Sequence, residues 1–217
     1  MLLKFADSEV ETSWASRLRR KRVQPLLDMI GVGKPTRILD VGGTEQFWAN
    51  LWNEGFPPGV SITVLNLAPT VTSGRYPIEA VVGDARDLSR FRPDKFDICF
   101  SNSVIEHVGN LGDQMQMARE IHSVAPRYFV QTPYRNFPLE PHFHVPGWAM
   151  LPVSLRTELH RNFYLGWVKA EPDYLRAKSD IEQIRLLNVR EFTALFADGK
   201  IVRERIGPLL KSLIAIR

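Results

Sequence analysis

Glycines and polar side chains recur in this chain where short apolar runs end, a spacing that suits the binding of a nucleotide-like cofactor. The first case is residues 37–44, an apolar run that closes with Asp40, Gly42, Gly43 and Thr44. Glycine allows a backbone to approach a ligand closely, and a carboxylate at a strand end can accept hydrogen bonds from ribose or amino groups. An ordinary tight turn between strand and helix would use the same residues, so the motif alone leaves both interpretations open.

Three further apolar runs end in polar or small residues at regular spacing. Residues 61–65 lead to Asn66 and Leu67, residues 80–82 to Gly83, Asp84 and Ala85, and residues 96–100 to Ser101, Asn102 and Ser103. Runs rich in β-branched and aromatic residues predict strands. Because ligands of open parallel sheets bind beyond the carboxyl ends of the strands, these end residues are candidates for cofactor contacts.

Helical spacing separates the predicted strands. Apolar residues recur at helical intervals in residues 45–54 and 113–124, and another apolar run follows at 128–131. Strands that alternate with helices predict parallel pairing with right-handed crossovers, and therefore an α/β fold. The chain lacks a Gly-x-Gly-x-x-Gly run after the first strand, which argues against a nicotinamide-dependent oxidoreductase.

Histidines and acids that could act on a substrate occur in two places. Glu106 and His107 follow the run at 96–100, and the proline-rich segment 133–152 contains Glu140, His142 and His144. Histidine is suited to general-base chemistry because its pKa lies near neutrality. His107 could instead cap or pack against a helix. The residues of the proline-rich segment could orient a substrate, cap the loop or bind a metal; because His-x-His is common by chance and no cysteine cluster supports it, we expect no metal.

The order of these segments resembles the class I S-adenosylmethionine-dependent methyltransferases, in particular the small bacterial type, over roughly residues 35–217. Residues 37–44 are similar to the glycine-rich block, 64–69 to the strand end that bears a ribose-binding acid, and 82–85 to the block that reads adenine. Residues 96–108 are similar to the fourth block, and this match is the most specific. Residues 200–204 and 211–216 resemble the two final strands, which form an antiparallel hairpin in the family.

The resemblance implies a three-layer, Rossmann-like sheet of seven mostly parallel strands with an antiparallel last strand and helices on both faces. It implies S-adenosylmethionine as cofactor, bound by Asp40, Gly42, Gly43, Thr44, Asn66, Leu67, Asp84, Ala85, Ser101, Asn102 and Ser103. The expected substrate contacts are Glu106, Tyr134, Glu140 and Trp148, and the candidate catalytic residues are His107, His142 and His144.

Two positions depart from the family pattern. The glycine block is shorter than usual, because Thr44 and Glu45 directly follow Gly43 where a third glycine is expected. The second strand ends in Asn66 in place of an acid; asparagine can still bond ribose hydroxyls, but without the strength that a charge adds.

Length and composition favour one domain. The 217 residues show no linker, repeat or low-complexity tract, so we expect a single domain with an N-terminal helical cap at 1–30 and a lid that binds the acceptor at 133–180. The single cysteine, Cys99, lies in an apolar run and cannot form an intrachain disulfide, and no segment resembles a secretion signal or a transmembrane span. A cytoplasmic protein is expected.

The expected reaction is methylation, more readily on oxygen than on nitrogen or carbon, of a small-molecule or glycan- or lipid-linked acceptor. The net charge of +4 is partly local, in Arg17, Arg19, Arg20, Lys21 and Arg22. An RNA methyltransferase would use such a patch, but no appended RNA-binding module accompanies it, so nucleic acid is a weak candidate. A non-catalytic, cofactor-binding scaffold is the other alternative. The oligomeric state is not predicted.

Overall fold

The computed structural model describes residues 14–31, 33–52, 55–91, 95–140, 142–166 and 168–217, with the backbone alone at 14–21. The strands are β1 (Thr36–Val41), β2 (Val60–Asn66), β3 (Ile78–Val82), β4 (Ile98–Asn102), β5 (Arg127–Pro133), β6 (Lys200–Ile206) and β7 (Leu209–Ile216). The helices are α1 (Trp14–Ile30), α2 (Glu45–Leu51), α3 (Leu111–Val124), α4 (Val153–Asn162), α5 (Tyr174–Glu182) and α6 (Val189–Leu195).

The seven strands form one sheet in the order β3-β2-β1-β4-β5-β7-β6. Strands β1 to β5 pair in parallel, whereas β7 runs antiparallel to both β5 and β6. The predicted Rossmann-like sheet with an antiparallel last strand is therefore confirmed. The strand order reverses between β1 and β4, and ligands of such sheets bind at the carboxyl ends around that point.

Apolar side chains cover both faces of the sheet. On one face, Leu26 and Trp48 pack against Ile38, Ile62 and neighbouring strand residues. The other face is covered by α3 and α6, whose Met117, Ile121 and Phe192 join a separate cluster. Burial on both faces explains why the strands read as continuous apolar runs, and it fixes the strand ends that carry the site.

Two helices differ in length from their predicted bounds. Helix α3 begins at Leu111 and not at residue 113, because the Asn110 side chain accepts hydrogen bonds from the first free backbone N–H groups while Asp113 bonds back to Asn110. Helix α2 ends at Leu51, where the backbone leaves the helical conformation at Trp52. Helices α5 and α6 were not predicted, and the final hairpin is longer than expected at its turn.

Helix α1 is attached to the body by both apolar and ionic contacts. Val23, Leu26 and Ile30 are buried, and Arg22 Nε donates to Glu204 Oε1 of β6 at 3.1 Å. The other four residues of the predicted basic patch, Arg17, Arg19, Arg20 and Lys21, lie outside the described side chains. Among the described residues, no helix combines the length and apolar character needed to cross a bilayer.

The segment after β5 builds a small apolar cluster of its own. Phe143 stacks on Trp148 with ring centroids 4.6 Å apart, and both pack with Ile181 of α5. Helix α4 starts after Pro152 and lies within the segment 133–180 that was predicted as a lid. This segment therefore has a packed interior that can hold side chains in place above the sheet edge.

Candidate active site

The glycine loop follows β1, and both glycines lack the space for a side chain. Gly42 has φ +78°, a conformation that favours glycine, and a Cβ there would lie 2.5 Å from Val104 Cγ2. A Cβ on Gly43 would lie 1.7 Å from Asp40 Oδ2. The loop continues at Thr44, whose hydroxyl oxygen accepts from Phe47 N at 3.3 Å and caps α2. The short loop is thus a compact turn with exposed backbone.

Asp40 lies under this loop and is fully buried. Its Oδ2 accepts from Trp48 Nε1 at 2.6 Å, whereas Oδ1 has no hydrogen-bond partner among the described residues. Burial raises the pKa of Asp40 to about 7, against the lowering effect of the Trp48 bond. No local pattern marks the contact between Trp48 and Asp40, because it depends on how α2 packs on the sheet.

The raised pKa of Asp40 predicts a pH-dependent contribution to stability. The folded state holds the proton more tightly than the unfolded chain, so the contribution is fully present below the unfolded pKa of 3.8 and is lost as pH rises through about 7. We expect the free energy of unfolding to fall by up to roughly 1.4 kcal/mol per pH unit between about pH 5 and 7, relative to Asp40→Asn. Urea unfolding of both proteins at several pH values checks this. A difference in the free energy of unfolding that does not change with pH would contradict it.

Asn66 ends β2 at the same sheet edge as the glycine loop, because Val41 pairs with both Leu65 and Ser101. Its Nδ2 donates to the Gly43 carbonyl at 3.0 Å and to Thr70 Oγ1 at 3.3 Å. The asparagine therefore supports the shortened glycine loop, a role that a carboxylate cannot fill because it has no N–H to donate.

Replacing Asn66 with the acid typical of the family should weaken cofactor binding. Asn66→Asp removes the donor to the Gly43 carbonyl and sets a negative charge against that oxygen, so we expect about tenfold weaker binding of S-adenosylhomocysteine. Asn66→Ala, which removes the bond without adding charge, should have a smaller effect. Calorimetric titration compares the three proteins, and tighter binding by Asn66→Asp would show that the loop does not need this support.

Asp84 follows β3 and is held by a neighbouring arginine. Arg86 Nε and Nη2 donate to its carboxylate at 3.0 and 2.6 Å, and Nη1 of the same guanidinium reaches Asp113 Oδ1 at 3.1 Å. The hydrogen bond from Arg86 holds the pKa of Asp84 below its usual value. Ala85 is buried beside it, whereas Leu67 is 76% exposed on the opposite loop. An exposed leucine near a fixed carboxylate suits a flat, polar-edged group such as adenine.

The turn after β4 is constrained. Ser103 has φ +57°, which is unusual for a residue with a side chain, and its Oγ donates to Gln131 Oε1 at 2.9 Å. Ser101 is fully buried, and its Oγ has no partner among the described residues. Asn102 ends the strand next to Gln131 of β5. Val104, the residue after Ser103, packs against Gly42 where a Cβ would otherwise lie.

Two histidines and two acids converge just beyond this turn. His107 Nε2 lies 3.1 Å from His142 Nε2, and His142 Nδ1 lies 2.5 Å from Glu140 Oε1. Each of Glu106, His107 and His142 offers a ligand atom within 4.8 Å of the other two. The sequence placed these residues in separate segments, and the fold brings them together.

The acids of this cluster are buried and held from several sides. Thr132 Oγ1 donates to Glu106 Oε2 at 3.0 Å, but Glu106 Oε1 has no partner among the described residues. Glu140 Oε2 accepts from the backbone N–H groups of His142 and Phe143 at 2.8 and 2.6 Å. These bonds fix the carboxylate of Glu140 against His142.

The surroundings shift the pKa values within the cluster. Burial raises the pKa of Glu106 to about 7. Partial burial, together with the charge of His142, lowers the pKa of His107 to about 4. Burial acts to lower the pKa of His142, but the hydrogen bond and charge of Glu140 outweigh it and raise the value. The two imidazoles are thus shifted in opposite directions: the pKa of His142 lies above its usual value and that of His107 below it.

The other predicted substrate residues occupy different surroundings. His144 has φ +54° and lies outside the group formed by Glu106, His107 and His142; its ring is close to Gly166. Tyr134 is half-buried and accepts from Asn136 Nδ2 at 3.2 Å. Trp148 is buried against Phe143 and lines a neighbouring cavity. Their predicted contacts with substrate stay predictions.

Sequence reasoning missed that cavity, which has a volume of about 180 Å³. Three arginines line it together with Glu140: Arg135, Arg156 and Arg185. Arg185 is paired with Glu191 at 2.5 Å, whereas Arg156 Nε is buried without a partner among the described residues. Burial, then the charge of Arg135, lowers the pKa of Arg156. The arginines come from three distant segments, so no local motif marks them.

Comparison with known proteins agrees with this geometry. Residues 39–126 match the family model described as "Methyltransferase domain". The matched region contains β1, the glycine loop, Asn66, Asp84 and the Glu106–His107 turn. No curated protein sequence matches the chain.

Several solved methyltransferase structures share the fold. An O-methyltransferase family protein from Burkholderia thailandensis has a TM-score of 0.51 at 13% identity; the match covers 99% of this chain and 61% of that one. The N-terminal domain of EvdMO1 with S-adenosylhomocysteine bound gives 0.51 at 16% identity, over 91% and 79% of the two chains. Phosphoethanolamine N-methyltransferase 2 of Haemonchus contortus, in complex with S-adenosylmethionine, gives 0.53 at 15%, over 90% and 39%. This chain thus spans less than two thirds of the first of these proteins.

The sheet order, the glycine loop and the match at 39–126 agree with the fold of the class I S-adenosylmethionine-dependent methyltransferases. The described residues fit S-adenosylmethionine. Gly42 and Gly43 leave bare backbone where any side chain would collide, and among the described residues the buried Asp40 Oδ1 and Ser101 Oγ near the same edge have no hydrogen-bond partner.

Proposed function

We propose that the enzyme methylates a hydroxyl group of a small-molecule or glycan- or lipid-linked acceptor that also carries an anionic group. The observation that carries the proposal is the position of Glu140. This residue lines the arginine cavity and also holds His142, which faces His107. A binding site for an anion and a set of groups suited to proton transfer therefore share one residue.

The cofactor supplies an electrophilic methyl group on a sulfonium. We propose that the backbone at Gly42 and Gly43 holds its methionine part, that Asn66 bonds the ribose, and that Asp84 with Leu67 receives the adenine. Val104 packs on Gly42 and is followed two residues later by Glu106, so the histidine cluster starts next to the expected reaction site. Positioning can supply much of the catalysis in such a displacement.

A hydroxyl acceptor must lose its proton, and His107 and His142 are placed to assist. Glu140 keeps one ring nitrogen of His142 occupied, which leaves Nε2 directed towards His107. Both Nε2 atoms lie at the rim of the cluster, where an acceptor hydroxyl can approach. Groups in such positions contribute roughly 10²- to 10⁴-fold to rate.

The arginines support an anionic acceptor. Arg156 has a buried Nε without a partner among the described residues, and the charge of Arg135 acts on Arg156 from nearby. A phosphate or carboxylate in the cavity would satisfy these donors and relieve the repulsion between the two charges, and arginine binds such groups with paired hydrogen bonds.

Matched pairs of acceptors test this assignment. We expect phosphorylated or carboxylated hydroxyl compounds to be methylated and their neutral analogues to react at least tenfold less efficiently, as measured by formation of S-adenosylhomocysteine. Arg156→Gln should raise KM for the anionic acceptor at least tenfold and leave the affinity for S-adenosylhomocysteine unchanged. Equal use of charged and neutral acceptors would contradict the proposal.

We also propose a cytoplasmic enzyme in which α4, α5 and the preceding proline-rich segment act as the lid and helix α1 as a cap, within one domain. RNA is a poorer acceptor candidate, because Arg22, at the end of the predicted basic patch, is committed to an internal ion pair with Glu204. Measurable RNA binding with a steep salt dependence would revive that alternative.

A further inference from the structure

The cluster of Glu106, His107 and His142 has the composition and spacing of a cation site. Their ligand atoms all lie within 4.8 Å of one another. Two imidazoles and one carboxylate form a donor set that suits divalent transition metals and leaves coordination positions open. The combination considered from the sequence was Glu140, His142 and His144, which differs from the group of described residues that the fold brings together.

The distance between the two histidines fits a shared ion. Their Nε2 atoms are 3.1 Å apart, and a cation about 2.1 Å from each would subtend an angle of roughly 95°, between the octahedral and tetrahedral values. The rings are nearly perpendicular, with an interplanar angle of 87°. The rings therefore meet through their Nε2 atoms, which share a hydrogen bond in the absence of an ion, and their faces do not stack.

Glu106 provides an independent indication. The side chain is fully buried; Thr132 binds one carboxylate oxygen, but Oε1 has no partner among the described residues. A buried carboxylate oxygen without a donor is unfavourable, and a cation beside it would remove that cost.

Glu140 holds His142 in place and does not itself belong to the group of proposed ligands. It bonds His142 Nδ1, and its other oxygen is held by two backbone N–H groups. Histidines that bind metals commonly donate a hydrogen bond from the N–H of the second ring nitrogen to a carboxylate. This bond orients the ring and makes the histidine a stronger ligand.

We propose that Glu106, His107 and His142 bind one divalent transition-metal cation, with Glu140 as the positioning residue for His142. The cation would lower the pKa of an acceptor hydroxyl at an open position, so that solvent water can take the hydroxyl proton and neither histidine has to act as the base. This catalytic role depends on the proposed hydroxyl acceptor, whereas the binding of the cation does not.

Metal titration without cofactor or acceptor tests the site. Chelator-treated full-length protein is titrated with Zn²⁺ by calorimetry and with Co²⁺ by visible absorption. We expect one ion per chain, at least tenfold weaker binding in His107→Ala and His142→Ala, and 10- to 100-fold weaker binding in Glu140→Gln. His122→Ala, which removes a histidine that contacts Asp198 elsewhere, should bind as the wild type does.

Absence of binding, or equal binding by His107→Ala and the wild type, would overturn the proposal. Both histidine variants alter the rim of the cluster and leave buried Glu106 in place, so we expect them to fold. Circular dichroism verifies the folding of each variant. The titration contains no acceptor, so its outcome does not depend on the proposed function; failure of the acceptor screen would refute the proposed acceptor and leave the metal site standing.

Discussion

Gly42→Ala should abolish measurable cofactor binding. The new Cβ would lie 2.5 Å from Val104 Cγ2, so the glycine loop or the turn after β4 must move. Both segments belong to the proposed cofactor site, and we expect at least a 100-fold loss of affinity. In thermal unfolding, S-adenosylhomocysteine at 100 times its dissociation constant stabilises the wild type by about 2.7 kcal/mol. At the same ligand concentration, Gly42→Ala should gain no more than about 0.4 kcal/mol from the ligand.

Gly31→Ala is the matched control for this variant. Gly31 has φ +70°, close to the +78° of Gly42, but a Cβ there would meet no atom within 4 Å. Both substitutions therefore carry a similar backbone penalty, and only Gly42→Ala adds the collision. A full ligand-induced shift in Gly42→Ala, equal to that of Gly31→Ala, would show that the loop does not hold the cofactor.

His142→Ala should reduce methyl transfer at least 100-fold and leave cofactor affinity within about threefold of the wild type. The substitution removes the ring that joins Glu140 to His107 but touches none of the residues proposed to hold the cofactor. The rate is measured as S-adenosylhomocysteine formed with an acceptor found in the paired screen. The same loss is expected whether the pair removes the proton directly or through a bound cation.

His122→Ala is the control that shows whether the loss of methyl transfer is specific to His142 or follows from removing any histidine paired with an acid. His122 also contacts an acid, with Nδ1 3.5 Å from Asp198, but it lies on α3 against α6 and the final strands. Its loss should leave turnover unchanged. Turnover by His142→Ala equal to that of the wild type would exclude the cluster from catalysis.

Much of the fold was predictable because its strands are buried on both faces. The runs that end at Asp40, Asn66 and Ser101 are continuous and apolar, and their order along the chain implied the parallel sheet. Helix α6 was missed although its Asn188 and Glu191 form a capping box, a signal readable from the sequence. The start of α3 was misplaced for a related reason, since the cap at Asn110 was overlooked.

Only those residues of the candidate site that directly follow a strand could be selected from the sequence. The glycine loop, Asn66 and Asp84 each follow a strand, so position along the chain was sufficient to select them. The contact between His107 and His142 crosses 35 positions, and the arginine cavity joins residues from 135 to 185. These arrangements depend on how the segment after β5 packs, which periodicity does not reveal.

Calorimetric titration of the wild-type protein with S-adenosylhomocysteine tests the central claim most directly. We expect one binding site per chain with a micromolar dissociation constant, because the glycine loop, its Asn66 support and the fixed Asp84 are all in place. Absence of binding at millimolar ligand would contradict the assignment of this sheet edge as a cofactor site, and with it the proposed reaction.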